Sequence, residues 1–330
     1  MIVRASRRDV LRYGSAAAVA AALPAPAIGQ GAWPNKPIRI ICGYPAGGLT
    51  DTFARAYGEY IAQKTGQPVS VENKSGASGA IAAEQVKSAP PDGYTLMWTI
   101  STTMIMNKVL FKKLPYDPDK AFAPISLVAE LPLAMMVNPQ VPAKTAKEFV
   151  VLAKGQPGKL SYSSSGAGGA PHLAAEMFKL GTGTFIVHVP YRGGGPAVQD
   201  LIAGHVQLSF MTVLEASGHL KAGKLRALAV TSAQRVAALP DVPTLAESAV
   251  PGFDSISWIG LLAPAGTPRE IVEKISADVR EAVAADDVKG RLVELGAIPA
   301  TNTPAQFTAL IEKDRARYAK IIAERGITVD

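Results

Sequence analysis

Residues 43–51, Gly-Tyr-Pro-Ala-Gly-Gly-Leu-Thr-Asp, put a glycine-rich turn between an apolar run and an amphipathic segment. Ahead of it, Ile38-Arg39-Ile40-Ile41-Cys42 carries the β-branched residues of a buried strand. Behind it, Leu49, Phe53, Tyr57 and Ile61 recur every four residues, which predicts a helix with one apolar face. A strand–turn–helix unit of this kind leaves backbone N–H groups bare at the helix start, where the dipole is positive. That arrangement cradles a small anion.

The same architecture recurs about 120 residues later without a sequence repeat. Lys159–Ser163 predicts a strand, Ser163-Ser164-Ser165-Gly166-Ala167-Gly168-Gly169-Ala170-Pro171 a loop, and His172–Leu180 a helix with Pro171 suited to its first turn. Between and beyond these units strand and helix patterns alternate, which argues for an α/β fold with largely parallel sheets. Asn73–Gly79 is a further polar, glycine-rich loop, and Thr145 is placed to cap a helix over 146–154. Ile125–Val137 and Ser257–Ala263 are extended apolar runs suited to crossing between two lobes. The last seventy residues predict amphipathic helices, with Lys313, Arg315, Arg317, Lys320 and Arg325 expected on a solvated face.

Residues 1–31 read as an export signal. Arg7-Arg8 precedes the apolar stretch Ala16–Leu23, and small residues follow at Ala25-Pro26-Ala27. The paired arginines point to the twin-arginine address, with a general secretory signal as the alternative. The apolar stretch is too short to span a bilayer, and no later one is long enough, so the mature chain is expected free of the membrane and in the periplasm. Four arginines and one aspartate belong to this segment, so the formal charge of +7 falls to about +4 in the mature chain. No basic stripe with stacked aromatics points to nucleic acid. The single cysteine, Cys42, excludes an intramolecular disulfide and fits a buried thiol in the strand.

Catalytic motifs are missing: no Gly-x-Ser-x-Gly elbow, no Walker sequence and no His-Glu-x-x-His occurs. His172 and Glu176 share a helix face, which fits a metal pair or a histidine hydrogen-bonded at a helix start. Ser163–Ser165 offers hydroxyls without an assignable histidine–acid partner. No enzyme activity and no cofactor are expected. Binding demands less: each hydrogen bond to a charged group contributes about 1.5–3 kcal/mol, so four or five supply about 6–15 kcal/mol against the roughly 8 kcal/mol of micromolar affinity. Two opposed cradles would hold both ends of a dicarboxylate, or pinch one carboxylate. Asp51 reads as a cap that orders its loop, with contact to a ligand amine or hydroxyl as the alternative. Arg192, beside Gly193-Gly194-Gly195, is either a ligand cation or a solvent-facing side chain. Trp98 and Trp258 lie in strand-like runs and are expected in the core.

Read jointly, these strings resemble the substrate-binding proteins of tripartite tricarboxylate transporters, the Bug family. The likeness rests on residues 43–51, Glu72-Asn73-Lys74, Gly76-Ala77-Ser78-Gly79, Pro91-Asp92-Gly93-Tyr94, Leu114-Pro115-Tyr116-Asp117, residues 168–176, residues 189–197 and Leu239-Pro240-Asp241-Val242-Pro243-Thr244, in that order. The resemblance implies a two-lobed Venus-flytrap fold of two mixed, mostly parallel sheets joined by crossover strands, with residues 32–132 plus 256–330 as one lobe and 133–255 as the other. It implies a small carboxylated ligand held between the lobes and delivered to membrane transporter subunits by a monomeric receptor. The residues it points to are Tyr44, Ala46, Gly47, Gly48, Thr50 and Asp51 in the first loop, with Ser78, Thr102 and Thr103 beside them. In the second lobe they are Ser164, Ser165, Gly166, Gly168, Gly169, His172 and Arg192. Met104, Met106, Met211 and Gly169-Ala170 depart from the family pattern toward apolar groups, which favours a ligand with an apolar or aromatic body. A sensor-kinase partner and a periplasmic serine hydrolase are the alternative functions.

Overall fold

The computed structural model describes residues 33–328; the expected export signal lies outside them. From Lys36 onward the chain forms one compact unit. The first stretch folds as expected: β1 (Ile38–Cys42), α1 (Leu49–Thr65), β2 (Val69–Asn73), α2 (Ala80–Lys87) and β3 (Thr95–Ile100). Phe53, Tyr57 and Ile61 of α1 are buried, and Gly66 ends the helix in the left-handed conformation. After β3, Thr102–Met106 forms a single π-helical turn leading into α3 (Asn107–Leu110).

Next come β4 (Phe122–Val137), α4 (Ala146–Gly155), β5 (Ser161–Ser164), α5 (Ala170–Thr182), β6 (Val187–Pro190), α6 (Gly194–Ala203), β7 (Leu208–Thr212), α7 (Val213–Lys221) and β8 (Arg226–Val230). Thr145 caps α4 by accepting from the Glu148 N–H at 3.1 Å. The chain returns through α8 (Leu245–Ser248) and β9 (Ile256–Pro264). It finishes with α9 (Arg269–Ala284), α10 (Asp286–Glu294), β10 (Ile298–Pro299) and α11 (Pro304–Arg325).

The strands follow the order β2-β1-β3-β9-β4-β7-β5-β6, with β8 and β10 also paired to β4. β1, β2 and β3 are mutually parallel, as are β5, β6 and β7, whereas β4 and β9 run antiparallel to each other. The sheet is thus mixed, as the resemblance implies: a parallel trio on each side is joined through the long antiparallel crossover strands β4 and β9. Along β4, pairing with β9 extends from Phe122 to Pro132, and pairing with β7 begins at Leu133. Pro132 has no N–H to give to a ladder, which suits it to the change of partner.

Separate cores flank this point. Ile41, Ala82, Met97, Met104, Met106, Trp258 and Phe307 pack in one; Phe149, Tyr162, Phe178 and Phe210 pack in another. Trp98 and Trp258 are buried, as expected. α5 contributes to both cores, through Leu173 in the first and Ala174 in the second, with Met177 against each. The arginines of α11 are not a solvated face. Arg315 donates to the Met104 carbonyl, Arg317 to the Asp254 carbonyl, and Arg325 lies 3.2 Å from Glu176 of α5. Lys313 and Lys320 do face solvent.

Candidate carboxylate site between two glycine loops

Strand direction decides where the loops go. Cys42 at the end of β1 stands level with Trp98, Leu261 and, through them, Ser126 of β4. Ser163 of β5 stands level with Ser209 and, through it, Met136 of β4. β1 runs in the direction of β4 and β5 runs against it. The loop after β1 therefore climbs past Ser126 while the loop after β5 descends from Met136. Both head for the Glu130–Leu133 segment, where β4 exchanges partners. Asn73 of β2 is level with Cys42, and Pro190 of β6 with Ser164, so the loops after those strands reach the same levels.

Each of these four loops ends in a glycine N-cap with no side-chain acceptor: Gly48, Gly79, Gly169 and Gly193. Elsewhere Thr145, Thr212, Thr244 and Thr303 cap α4, α7, α8 and α11 with their hydroxyls. α3, α9 and α10 also start without a side-chain cap; at the four converging strand ends a glycine in that position leaves first-turn N–H groups for another acceptor.

Asp51 is the residue that shapes the first loop. Its carboxylate accepts from the Gly47 N–H (2.8 Å), Arg55 Nε (3.0 Å) and Asn73 Nδ2 (2.9 Å), with 4% of the side chain exposed. Burial pushes the carboxyl pKa up. The bonds from Arg55, Gly47 and Asn73 and the Arg55 charge outweigh it, and Asp51 sits below the usual carboxylate range. Both oxygens serve the loop, as a cap would. Asn73 also donates to the Tyr44 carbonyl at 3.0 Å.

Tyr44, Thr103 and Ser78 form a second tie. The Tyr44 hydroxyl is 3.0 Å from Thr103 Oγ1, which donates to the Ser78 carbonyl at 3.0 Å. Gly79 is required here: its φ is +84°, and a Cβ would stand 2.3 Å from Thr103 Oγ1. Asn107 and Tyr116 extend the tie, Asn107 Nδ2 donating to the Ser78 carbonyl and the Tyr116 hydroxyl to the Thr103 carbonyl.

In the second loop, Ser164 Oγ lies 2.7 Å from His188 Nε2, 3.0 Å from the Gly166 carbonyl and 3.3 Å from the Gly166 N–H. The Gly168 N–H donates to His172 Nδ1 at 2.9 Å. The His172 and His188 rings stack with centroids 3.9 Å apart, and Tyr162 lies against His188. Burial lowers the pKa of both imidazoles, that of His188 to about 4. Glu176 is buried beside them, accepting from the Tyr162 hydroxyl and from Lys179, with Arg325 alongside.

The expected residues accordingly fall into classes by what their polar groups do. Tyr44, Asp51, Ser78, Thr103, Ser164 and His172 use theirs on neighbouring protein groups. Ala46, Gly47, Gly48 and Ser165 are exposed, Thr102, Gly166 and Gly169 are half-buried, and Thr50 and Gly168 are buried. Arg192 is exposed and makes no ion pair among the described residues. Met104, Met106 and Met211 are buried in the cores, so their thioethers lend no support to an apolar-bodied ligand. His172 and Glu176 are 4.0 Å apart, and no metal-holding group occurs among the described residues.

Sequence reasoning missed Arg55, Asn73 and His188. Arg55 had a signal, standing four residues after Asp51 on the same helix face.

Residues 53–327 match the family model described as the tripartite tricarboxylate transporter family receptor. The chain belongs to this family. BugT of Bordetella pertussis (strain Tohama I) is 33% identical over 295 residues, covering 89% of this chain and 90% of BugT. Among solved structures, R. palustris Rpa4515 with adipate superposes with a TM-score of 0.80 at 34% identity, covering 90% of this chain and 99% of that one. MatC from Rhodopseudomonas palustris with bound malate gives 0.73 at 33% identity, covering 88% and 100%. Family membership makes the chain a receptor of the two-lobed solute-binding fold and not an enzyme, so the Ser164–His188 contact holds a loop rather than activating a nucleophile.

Proposed function

We propose that this tripartite tricarboxylate family receptor captures a small aliphatic dicarboxylate between its two glycine loops and delivers it to a membrane transporter. The observation that carries the reading is the register of β1 and β5 against β4, which sends two uncapped helix starts to one level of the molecule. One carboxylate is held at the Gly48 helix start, with Ala46, Thr50 and Thr102 around it. The other is held at the Gly169 helix start, with Ser165 and Arg192 nearby. Adipate in Rpa4515 and malate in MatC support a two-ended ligand of about this size.

Residues 32–132 with 256–330, and residues 133–255, act as the lobes, hinged where β4 and β9 pass between them. Ligand contacts made to both lobes at once favour the closed state. The receptor works in the periplasm as a monomer, exported by residues 1–31 through the twin-arginine route.

Calorimetric titration with malate, succinate, adipate, citrate, glutamate and benzoate tests the ligand class. Micromolar binding of at least one linear dicarboxylate is expected, with benzoate at least tenfold weaker. A preference for benzoate, or no binding of any dicarboxylate, overturns the reading.

A further inference from the structure

The second loop is held at both ends by imidazoles, His188 of β6 and His172 of α5. His188 Nε2 meets Ser164 Oγ, which in turn engages both the N–H and the carbonyl of Gly166. His172 Nδ1 accepts directly from the Gly168 N–H. Only a neutral His172 does this, because a proton on Nδ1 would confront the Gly168 N–H with a second donor. The rings are stacked at 3.9 Å with 13° between their planes, so a charge on one opposes a charge on the other.

We propose that the stacked His172–His188 pair is the positioning device of the carboxylate-binding loop, and that protonation of His172 unfastens the loop and lowers ligand affinity in acid. The inference rests on the functional reading above for its second half only. His172 is thereby a positioning residue, acting through Gly168 rather than on the ligand.

The surrounding charges are balanced around this pair. From α5, Glu176 lies 4.0 Å from His172 Nε2 and favours its charged form, while Lys179 opposes it. From β5, Tyr162 stacks on His188 and gives its hydroxyl to Glu176. From α11, Arg325 pairs with Glu176. With Tyr162, Lys179 and Arg325 all drawing on it, the Glu176 carboxylate has little left for an imidazolium. The pair is neutral at pH 7 and takes up a proton only in acid, the range in which a dicarboxylate ligand also begins to lose its second charge.

The test needs no ligand for its first arm. In ¹⁵N-labelled wild-type protein, the Gly168 amide is followed by NMR from about pH 7.5 to about pH 3.5, the range over which an imidazole of ordinary or lowered value takes up its proton. Its resonance is expected to move with the midpoint of the His172 ring, and its exchange to accelerate about tenfold or more relative to interior α5 amides. His172→Asn keeps an acceptor near the Nδ1 position without titrating, so its Gly168 amide is expected to stay protected throughout; His172→Phe is expected to lose protection at every pH. A Gly168 amide that ignores the His172 midpoint, or behaves alike in wild type and His172→Phe, overturns the proposal.

The second arm measures adipate affinity by calorimetry across the same range. Wild type is expected to weaken about tenfold more than His172→Asn, the loss of one hydrogen bond. Protonation of adipate itself is common to both proteins and cancels in the comparison. Equal pH profiles overturn the coupling to binding, whereas absence of adipate binding to either protein at pH 7.5 counts against the functional reading and leaves the amide result to decide the latch.

Discussion

Replacing Asp51 with alanine separates a residue that builds the site from one that touches the ligand. Three donors converge on this carboxylate: Gly47 N–H, Asn73 Nδ2 and Arg55 Nε, at 2.8, 2.9 and 3.0 Å. Hydrogen bonds to a charged group contribute about 1.5–3 kcal/mol each. Arg55 is 47% exposed, so its share falls to about 0–1 kcal/mol. Gly47 is exposed and regains water on substitution, and Asn73 keeps the Tyr44 carbonyl, so neither donor is stranded. Removal also relieves the burial of a charge. The net loss is about 2 kcal/mol, read as a shift in the urea midpoint of ligand-free protein at unchanged slope.

The pH dependence follows from the depressed carboxyl of Asp51. Its contribution is fully present above the unfolded value near 4 and is lost as pH falls through the lower folded value. The gap between wild type and Asp51→Ala should therefore narrow as pH falls below the unfolded value near 4. Under the proposed function, affinity for a dicarboxylate is expected to fall as well, because the loop loses its template. If ligand-free stability stays within about 0.5 kcal/mol of wild type while binding is abolished, Asp51 is a ligand contact and the capping argument fails.

Gly260→Ala would set a Cβ 2.2 Å from Phe307 Cζ, so a loss of about 2–3 kcal/mol in urea unfolding is expected; Phe307→Leu in the same chain should recover at least half of it. Gly79→Ala, strained by its φ of +84° and by Thr103, should lower the melting temperature by several degrees and weaken ligand binding with it. His188, held down to about 4 by burial, contributes stability that is complete above its unfolded value of about 6.5 and is lost as pH falls toward 4. Urea unfolding of wild type against His188→Gln should show about 1–2 kcal/mol of such loss across that window, allowing for solvent screening.

The parts legible in the sequence are those set by local pattern. β1 spans Ile38–Cys42 as its β-branched residues predict, Phe53, Tyr57 and Ile61 face inward on α1 as their spacing predicts, and Thr145 caps α4. Those rules act over a few residues and owe nothing to distant parts of the chain. What stayed hidden depends on pairing. Arg325 looks like a solvated cation until α5 is packed against α11 and brings Glu176 to it. The methionines at 104 and 106 look like departures in a cleft wall, and only the π-helical turn shows them to be core. His188 alternates along a short edge strand like any half-exposed residue, and nothing local announces that it stacks on His172.

α5 is where these threads meet. Its N-terminus carries the second loop, its Leu173 lies in the core of the first half, and its Glu176 is bound from α11. A helix so placed does not follow residues 133–255 as a passive passenger. Any swing of that segment about the β4 crossover must repack Leu173 and Met177 and must strain or break the Glu176–Arg325 pair. The loop proposed to receive one carboxylate is therefore coupled through a single rigid element to both cores and to α11. Interior packing offers discrete arrangements rather than a continuum, so this coupling favours open and closed states over intermediates. Arg325→Ala frees one side of that coupling while leaving both loops intact. It should shift the open–closed balance, and with it dicarboxylate affinity, at unchanged loop geometry; small-angle scattering with and without adipate would record it.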